Sequence, residues 1–442
     1  VHDVDSALDL LCGRDLTTGR QVSAAWRGLS GGDAGYRASQ FDVQRYLWLI
    51  LPRQVRAGEA TDWRRVTEAF ASFFDLTGEP RYAAICRGGW TQRVLAAAAD
   101  QDRCAQLAIS AMEESGVLPP DELEIAWLND PGPYEAAAFD AIARALEAAI
   151  QDGQIPLGTS AADELRLMLA IDLLNSRLAD EGRRTVAQAM VSERIRYWAK
   201  GTPSAALREL LVRTEPDVSG RPRTDLDPGA AVAGMRLLLE SARHSPRLTK
   251  AGYLPTELVG RIVEVMPCAR TFPGGGRSES SWPPVGQLRE LAYRCELIDV
   301  EDGRLRLTYL GEDALEDDQA LLGAVCARLI GGTEPAYRQQ VLETVLMMML
   351  METHVDRAAI DRRLAVVLEE FGWRRGGETE GESEPLSHEE VLGLRVEALW
   401  DLRVLDALVA GDVERPVGLN ELGREVALAA LRARVMQGWW WG

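Results

Sequence analysis

Apolar residues recur at helical spacing through most of this chain. Ala231, Met235, Leu238, Leu239 and Ala242 share one face of a 3.6-residue repeat, as do Leu254, Leu258, Ile262 and Met266, and then Val285, Leu288, Leu291, Ala292 and Cys295, so three amphipathic helices are expected there. The period then changes to two. In Leu297–Thr308 (LIDVEDGRLRLT) the Asp302-Gly303 pair is a favoured two-residue turn, and antiparallel pairing about it sets Glu301 opposite Arg304, Val300 opposite Leu305, Asp299 opposite Arg306 and Ile298 opposite Leu307. One face of this hairpin is apolar and the other is acid-base pairs. A one-residue slip would put Ile298 and Leu307 in water, so the register is well specified.

Three helices followed by a two-stranded wing is the winged-helix plan, expected over 230–318, with Thr308 capping a closing helix through Leu315. The string Leu307-Thr308-Tyr309-Leu310-Gly311 recurs as Leu419-Asn420-Glu421-Leu422-Gly423. A second, degenerate winged-helix unit is therefore expected over 388–442, with Val391–Trp400 as its helix. Leu342, Val345, Leu346 and Met349, then Leu364, Val367, Leu368 and Phe371, predict a helical connector over 319–373. Residues 1–212 read as a helical domain, Ala-rich over 135–150 and broken by Gly and Pro. Residues 213–229 read as a linker, and 374–387 (RRGGETEGESEPLS) as an acidic linker with no packed element. The expected fold class is thus mainly α: a helical N-terminal domain, a winged-helix unit, a helical connector and a second winged-helix-like unit.

The stretch Arg247-Leu248-Thr249-Lys250-Ala251-Gly252-Tyr253-Leu254-Pro255, the helix-wing segment after it, and the block ending Glu370-Phe371-Gly372-Trp373 resemble the C-terminal region of uncharacterised bacterial proteins grouped with the Ri-plasmid ORF-three-like family. The resemblance covers about residues 230–435. The β-rich domain that names that group is not recognisable in residues 1–212, so the resemblance implies a module without an assigned activity and carries over no catalytic residue.

Composition narrows the partners. The 442 residues are 46% hydrophobic and 26% charged, with 49 basic against 68 acidic side chains and a net charge of -19, which excludes a histone-like coat on nucleic acid. Only two of the basic residues, Lys200 and Lys250, are lysines; that bias points to a GC-rich coding sequence, as in a high-GC bacterium. The six cysteines never lie closer than 18 positions, so no Cys-x-x-Cys metal or redox pair exists and reduced, mostly buried thiols are expected. The first residues carry acids where a signal peptide needs bases, and no apolar run approaches a membrane span, so a cytoplasmic location is expected.

Candidate chemistry is sparse. Histidine occurs only at His2, His244, His354 and His388. Glu352, His354 and Asp356 are two apart, so a continuous helix would scatter them about 200° around its axis. Ser387 with Glu390 reads as a capping box. The Gly274–Gly276 run lacks the Gly-Lys-Ser/Thr of a phosphate loop, and no Gly-x-Ser-x-Gly or kinase signature occurs. No catalytic residue, metal ligand or cofactor is expected.

Surface for a macromolecular partner remains. On a third helix at 284–296 the apolar stripe leaves Gln287, Arg289, Tyr293 and Arg294 facing outward, beside Glu290, with Arg247 and Lys250 near the second helix as phosphate contacts. Arg183, Arg184, Arg194, Arg196 and Lys200 form a second candidate patch. Residues 229–332 nonetheless hold 12 basic and 14 acidic side chains. Two readings follow, a regulator whose winged helices bind DNA and an acidic winged-helix scaffold for protein partners; an unrecognised enzyme or nucleic-acid-processing factor is a minor third. The terminal Trp439-Trp440-Trp441 suggests docking, including self-association.

Overall fold

The computed structural model describes residues 2–30, 36–59, 62–123, 125, 131–178, 184–223, 225–270, 272, 275–331, 336–376, 383–409 and 417–436. These are mainly helical, and the chain divides into two compact units, Val1–Val186 and Ala187–Gly442. The first contains α1 (Val4–Arg14), α2 (Leu16–Ser30), α3 (Gln40–Arg45), α4 (Leu51–Arg56), α5 (Trp63–Thr77), α6 (Pro80–Arg87), α7 (Gly89–Ala96), α8 (Gln101–Ser115), α9 (Pro133–Gln151) and α10 (Ser160–Leu174). A π-helical turn, Tyr46–Ile50, joins α3 to α4. The Asp62 side chain accepts from Arg65 N to start α5, and Gly78, at φ 87°, ends it in the left-handed conformation that costs glycine least. Between those caps Phe70, Phe73 and Phe74 are buried and pack against rings from neighbouring helices: Tyr46 stacks on Phe70 at 5.0 Å, Trp26 lies 5.1 Å from Phe73 and Tyr82 lies 5.3 Å from Phe74.

The second unit begins with α11 (Val186–Gly201), whose first residue closes the first unit, and α12 (Ala205–Val218). This corrects the boundary expected at Val212. Leu207, Leu210 and Leu211 of α12 share a core with the helices that follow, and the expected linker starts late, because α12 runs through Pro216 and buries Thr214 and Val218. Next come α13 (Gly229–Ala242), α14 (Thr256–Val265), the short α15 (Pro267–Arg270), α16 (Pro283–Arg294), β1 (Ile298–Glu301), β2 (Arg304–Leu307) and α17 (Tyr309–Ala314). The hairpin pairs Ile298 with Leu307, Asp299 with Arg306, Val300 with Leu305 and Glu301 with Arg304, the register its sequence predicts. Asp302 and Gly303 both have positive φ, 51° and 67°, as this tight turn requires. Arg247 makes an isolated antiparallel bridge to Arg304 at the edge of the hairpin. The polar face departs from expectation: Arg306 pairs diagonally with Glu301 at 2.8 Å, while Arg304 donates to Ser245 O.

After α18 (Asp318–Leu329) come α19 (Ala336–Met351), α20 (Arg357–Glu370), the short strands β3 (Arg374–Gly376) and β4 (Ser383–Pro385), α21 (His388–Val404) and α22 (Glu421–Met436), with the hairpin before the third of these helices and not after it as at α16. Two local structures are matched closely. Glu296 and Asp406 both have positive φ, 58° and 50°. Thr308 N donates to Leu297 O and its hydroxyl to Glu296 O, while Asn420 N donates to Ala407 O and its amide to Asp406 O. Each residue then caps the next helix, Thr308 Oγ1 accepting from Gly311 N and Asn420 Oδ1 from Gly423 N. A Cβ on Gly311 or Gly423 would collide with Leu297 O or Ala407 O, respectively, so both glycines let a helix start close against an earlier stretch of backbone. Isolated bridges also pair Val355 with Val417 and Leu408 with Leu419.

Residues 319–373 are mostly helical, as expected, in α18, α19 and α20. Residues 374–387 do contain an element, because Arg374–Gly376 pairs antiparallel with Ser383–Pro385. The Ser387/Glu390 capping box is present. Asp356 caps α20 instead of meeting Glu352 and His354 in a cluster, and no metal-binding group is found among the described residues. The Trp439–Trp441 tail lies outside the described residues.

Candidate functional site

Helix α16 enters through Pro283 and Pro284, residues suited to a first turn whose N–H groups lack partners. It buries Val285, Leu288, Leu291 and Ala292, the stripe its periodicity predicts. Its outer face is the surprise. Arg294 is buried and donates to Asp401 Oδ1 of α21 at 2.6 Å, with side-chain exposures of 7% and 1%. Gln287 Nε2 donates to the same oxygen at 2.5 Å. Neither residue faces solvent as expected, because α21 packs against α16. Desolvating a guanidinium and a carboxylate is tolerable only when each meets the other.

Arg289 is also committed. It lies 2.9 Å from the buried Glu279 carboxylate and donates to Gly252 O at 2.8 Å, which ties α16 to the loop before α14. Glu279 in turn accepts from Leu254 N at 2.6 Å. Tyr293, Arg247 and Lys250 are exposed. The structure therefore leaves three of the six expected contact residues accessible and places the other three in internal bonds.

The second patch does not assemble. Arg183 lies outside the described residues, and Arg184 is half-buried. Arg194 is 1% exposed, among the largest fully buried side chains, and donates to Met436 O at 2.7 Å. Arg196 is exposed and lies 3.4 Å from Glu215, and Lys200 is exposed. Successive helical residues point about 100° apart, so charges close in sequence on α11 are divided between core and surface.

Sequence reasoning missed a set of buried ion pairs in the second unit. Besides Arg294–Asp401, Arg395 meets Asp361 at 2.6 Å across α21 and α20, and Arg434 meets Glu343 at 2.6 Å across α22 and α19. Burial pushes the Glu343 carboxyl above its ordinary range, opposed by Arg434. Glu370 accepts from Ser204 Oγ and Ala206 N at the start of α12, and the Ser204 hydroxyl holds its carboxyl below the ordinary range. One signal was available: Arg395 stands on the Val391, Ala398, Leu402 stripe of α21, where an unpaired charge would not be tolerated. Its partners, far away in sequence, carried no such mark. No family model, curated protein or solved structure matches the chain.

Proposed function

We propose that the second unit is a tandem winged-helix module and that it serves as an acidic scaffold for a protein partner. The order α13, Arg247 bridge, α14, α16, β1, β2 supports the first winged helix, and the matched corner at Asp406–Gly423 supports the second. The observation that carries the choice of partner is the Arg294–Asp401–Gln287 cluster, which commits the helix face a DNA-reading winged helix would present. A net charge of -19 opposes approach to phosphate. Tyr309 is 85% exposed, and Tyr253, Tyr293 and Val300 are also exposed on the first winged helix; aromatic side chains of this kind anchor protein interfaces.

Two measurements test the reading. Fluorescence anisotropy with duplex DNA should show no binding that weakens with salt; salt-dependent binding lost in Arg289→Ala or Arg247→Ala overturns it in favour of a DNA-binding regulator. A photo-crosslinker placed at Tyr309 or Tyr293 in cells should give a discrete protein adduct, and nucleic-acid adducts alone sink the proposal.

A further inference from the structure

The first unit contains an open cleft of about 920 Å³ lined by α1, α2, α5, α6, α9 and residues 36–38. Its volume lies in the range of small-molecule sites, and its lining combines an apolar wall with a few placed polar groups, as such sites do. The wall's aromatic surface comes from the half-buried Trp26 and Tyr36, edge-on at 5.7 Å, with the buried Phe73, Phe74 and Tyr82 packed behind them.

Against this wall the charge is negative. Glu147 is 6% exposed, and its carboxylate is fixed by Tyr82 Oη at 2.7 Å, Gln40 N at 2.7 Å and Gln151 Nε2 at 3.1 Å. A carboxylate offers about four acceptor positions, so three donors leave it able to accept one more. Asp3, Asp5 and Glu79 also line the cleft. Of the two arginines there, Arg144 is already held by Asp140 at 2.8 Å, Asp42 at 3.6 Å and Arg37 O at 2.8 Å. The Tyr36 hydroxyl is buried without a hydrogen bond of good geometry in the protein, and burial beside Asp42 keeps that phenol protonated.

We propose that this cleft binds an organic ammonium ion bearing an aromatic or apolar group, the ring seated on Trp26 and Tyr36 and the cation facing Glu147 and the rim carboxylates. Aromatic faces attract cations through their quadrupole, and a fixed, water-poor carboxylate adds to that attraction without reorganising. Among the described lining residues, the basic side chains other than Arg144 are Arg37 and His2, against the four carboxylates Asp3, Asp5, Glu79 and Glu147. This site is independent of the partner surface on the second unit.

Isothermal titration of the full chain with phenethylamine, and with phenylpropionate as a probe of similar shape and opposite charge, tests the proposal. Phenethylamine should saturate with a Kd of about millimolar or tighter and exceed phenylpropionate by about tenfold or more. Trp26→Leu and Glu79→Gln should each weaken phenethylamine severalfold, with unchanged melting temperature showing that the fold is intact; if Trp26→Leu melts early, Glu79→Gln decides. No saturable heat with phenethylamine, equal binding of phenylpropionate, or full affinity in Glu79→Gln overturns it.

Discussion

Arg294 and Asp401, 107 positions apart, meet at 2.6 Å and join α16 to α21 with almost no exposure to water. Breaking such a pair from one side leaves a buried charge, whereas removing both charges leaves an apolar contact. Arg294→Met and Asp401→Leu should each destabilise the second unit by about 3–5 kcal/mol, and the double variant should recover most of that loss. Denaturant midpoints of the four proteins check this; additive losses would show that the two residues do not act as a pair.

The glycines divide by what surrounds them. Gly311→Ala and Gly423→Ala drive a methyl into a backbone carbonyl and should cost about 1–3 kcal/mol each. Gly260 in α14 and Gly323 in α18 are exposed and have nothing within 4 Å of a new Cβ, so alanine there should stabilise by about 0.5–1 kcal/mol. Thermal melts of the four single variants should separate into these two groups.

Six free thiols, five of them buried, are distributed over both units. Burial pushes Cys86, Cys295 and Cys326 from the ordinary 9.0 up to about 12. With the folded value raised, their contribution to stability is fully present below pH 9 and is lost as pH rises toward 12, since the unfolded chain releases these protons first. Stability measured across that window should fall, and Cys295→Ala should fall less steeply. At neutral pH a thiol reagent should reach half-buried Cys12 well before the other five.

Glu343 has the opposite habit from a surface carboxylate. Its folded pKa is raised by burial and restrained by Arg434, so removing that arginine raises it further. Arg434→Met should be destabilised at neutral pH and regain stability as pH falls through the raised value, because the folded state then takes up the proton that the unfolded state binds only at lower pH. Denaturation at neutral and mildly acidic pH tests this. A stability deficit that does not shrink on acidification contradicts it.

Much of the second unit was legible before any coordinates. The Asp302-Gly303 turn, the four cross-strand pairs, the Thr308 cap and the Ser387/Glu390 box are all present. Each is decided by residues within a dozen positions, where turn chemistry and the period of two or 3.6 act directly. The echo of Leu307–Gly311 in Leu419–Gly423 marked a repeated corner for the same reason: both strings supply a cap and a glycine at the site of closest approach.

What tertiary structure decided is which faces meet. Periodicity shows that α16 has an apolar stripe, but it cannot say that Arg294 and Gln287 on its polar side are also covered, because the cover is Asp401 on a helix more than a hundred residues later. The same holds for Arg194, read as surface charge and found buried with its guanidinium on Met436 O. An arginine is placed in the core or in water according to whether an acceptor waits for it there, and that acceptor comes from the packing of distant elements. The boundary between the units moved to 186/187 on the same ground, since α12 buries its leucines with helices whose sequences lie far beyond it.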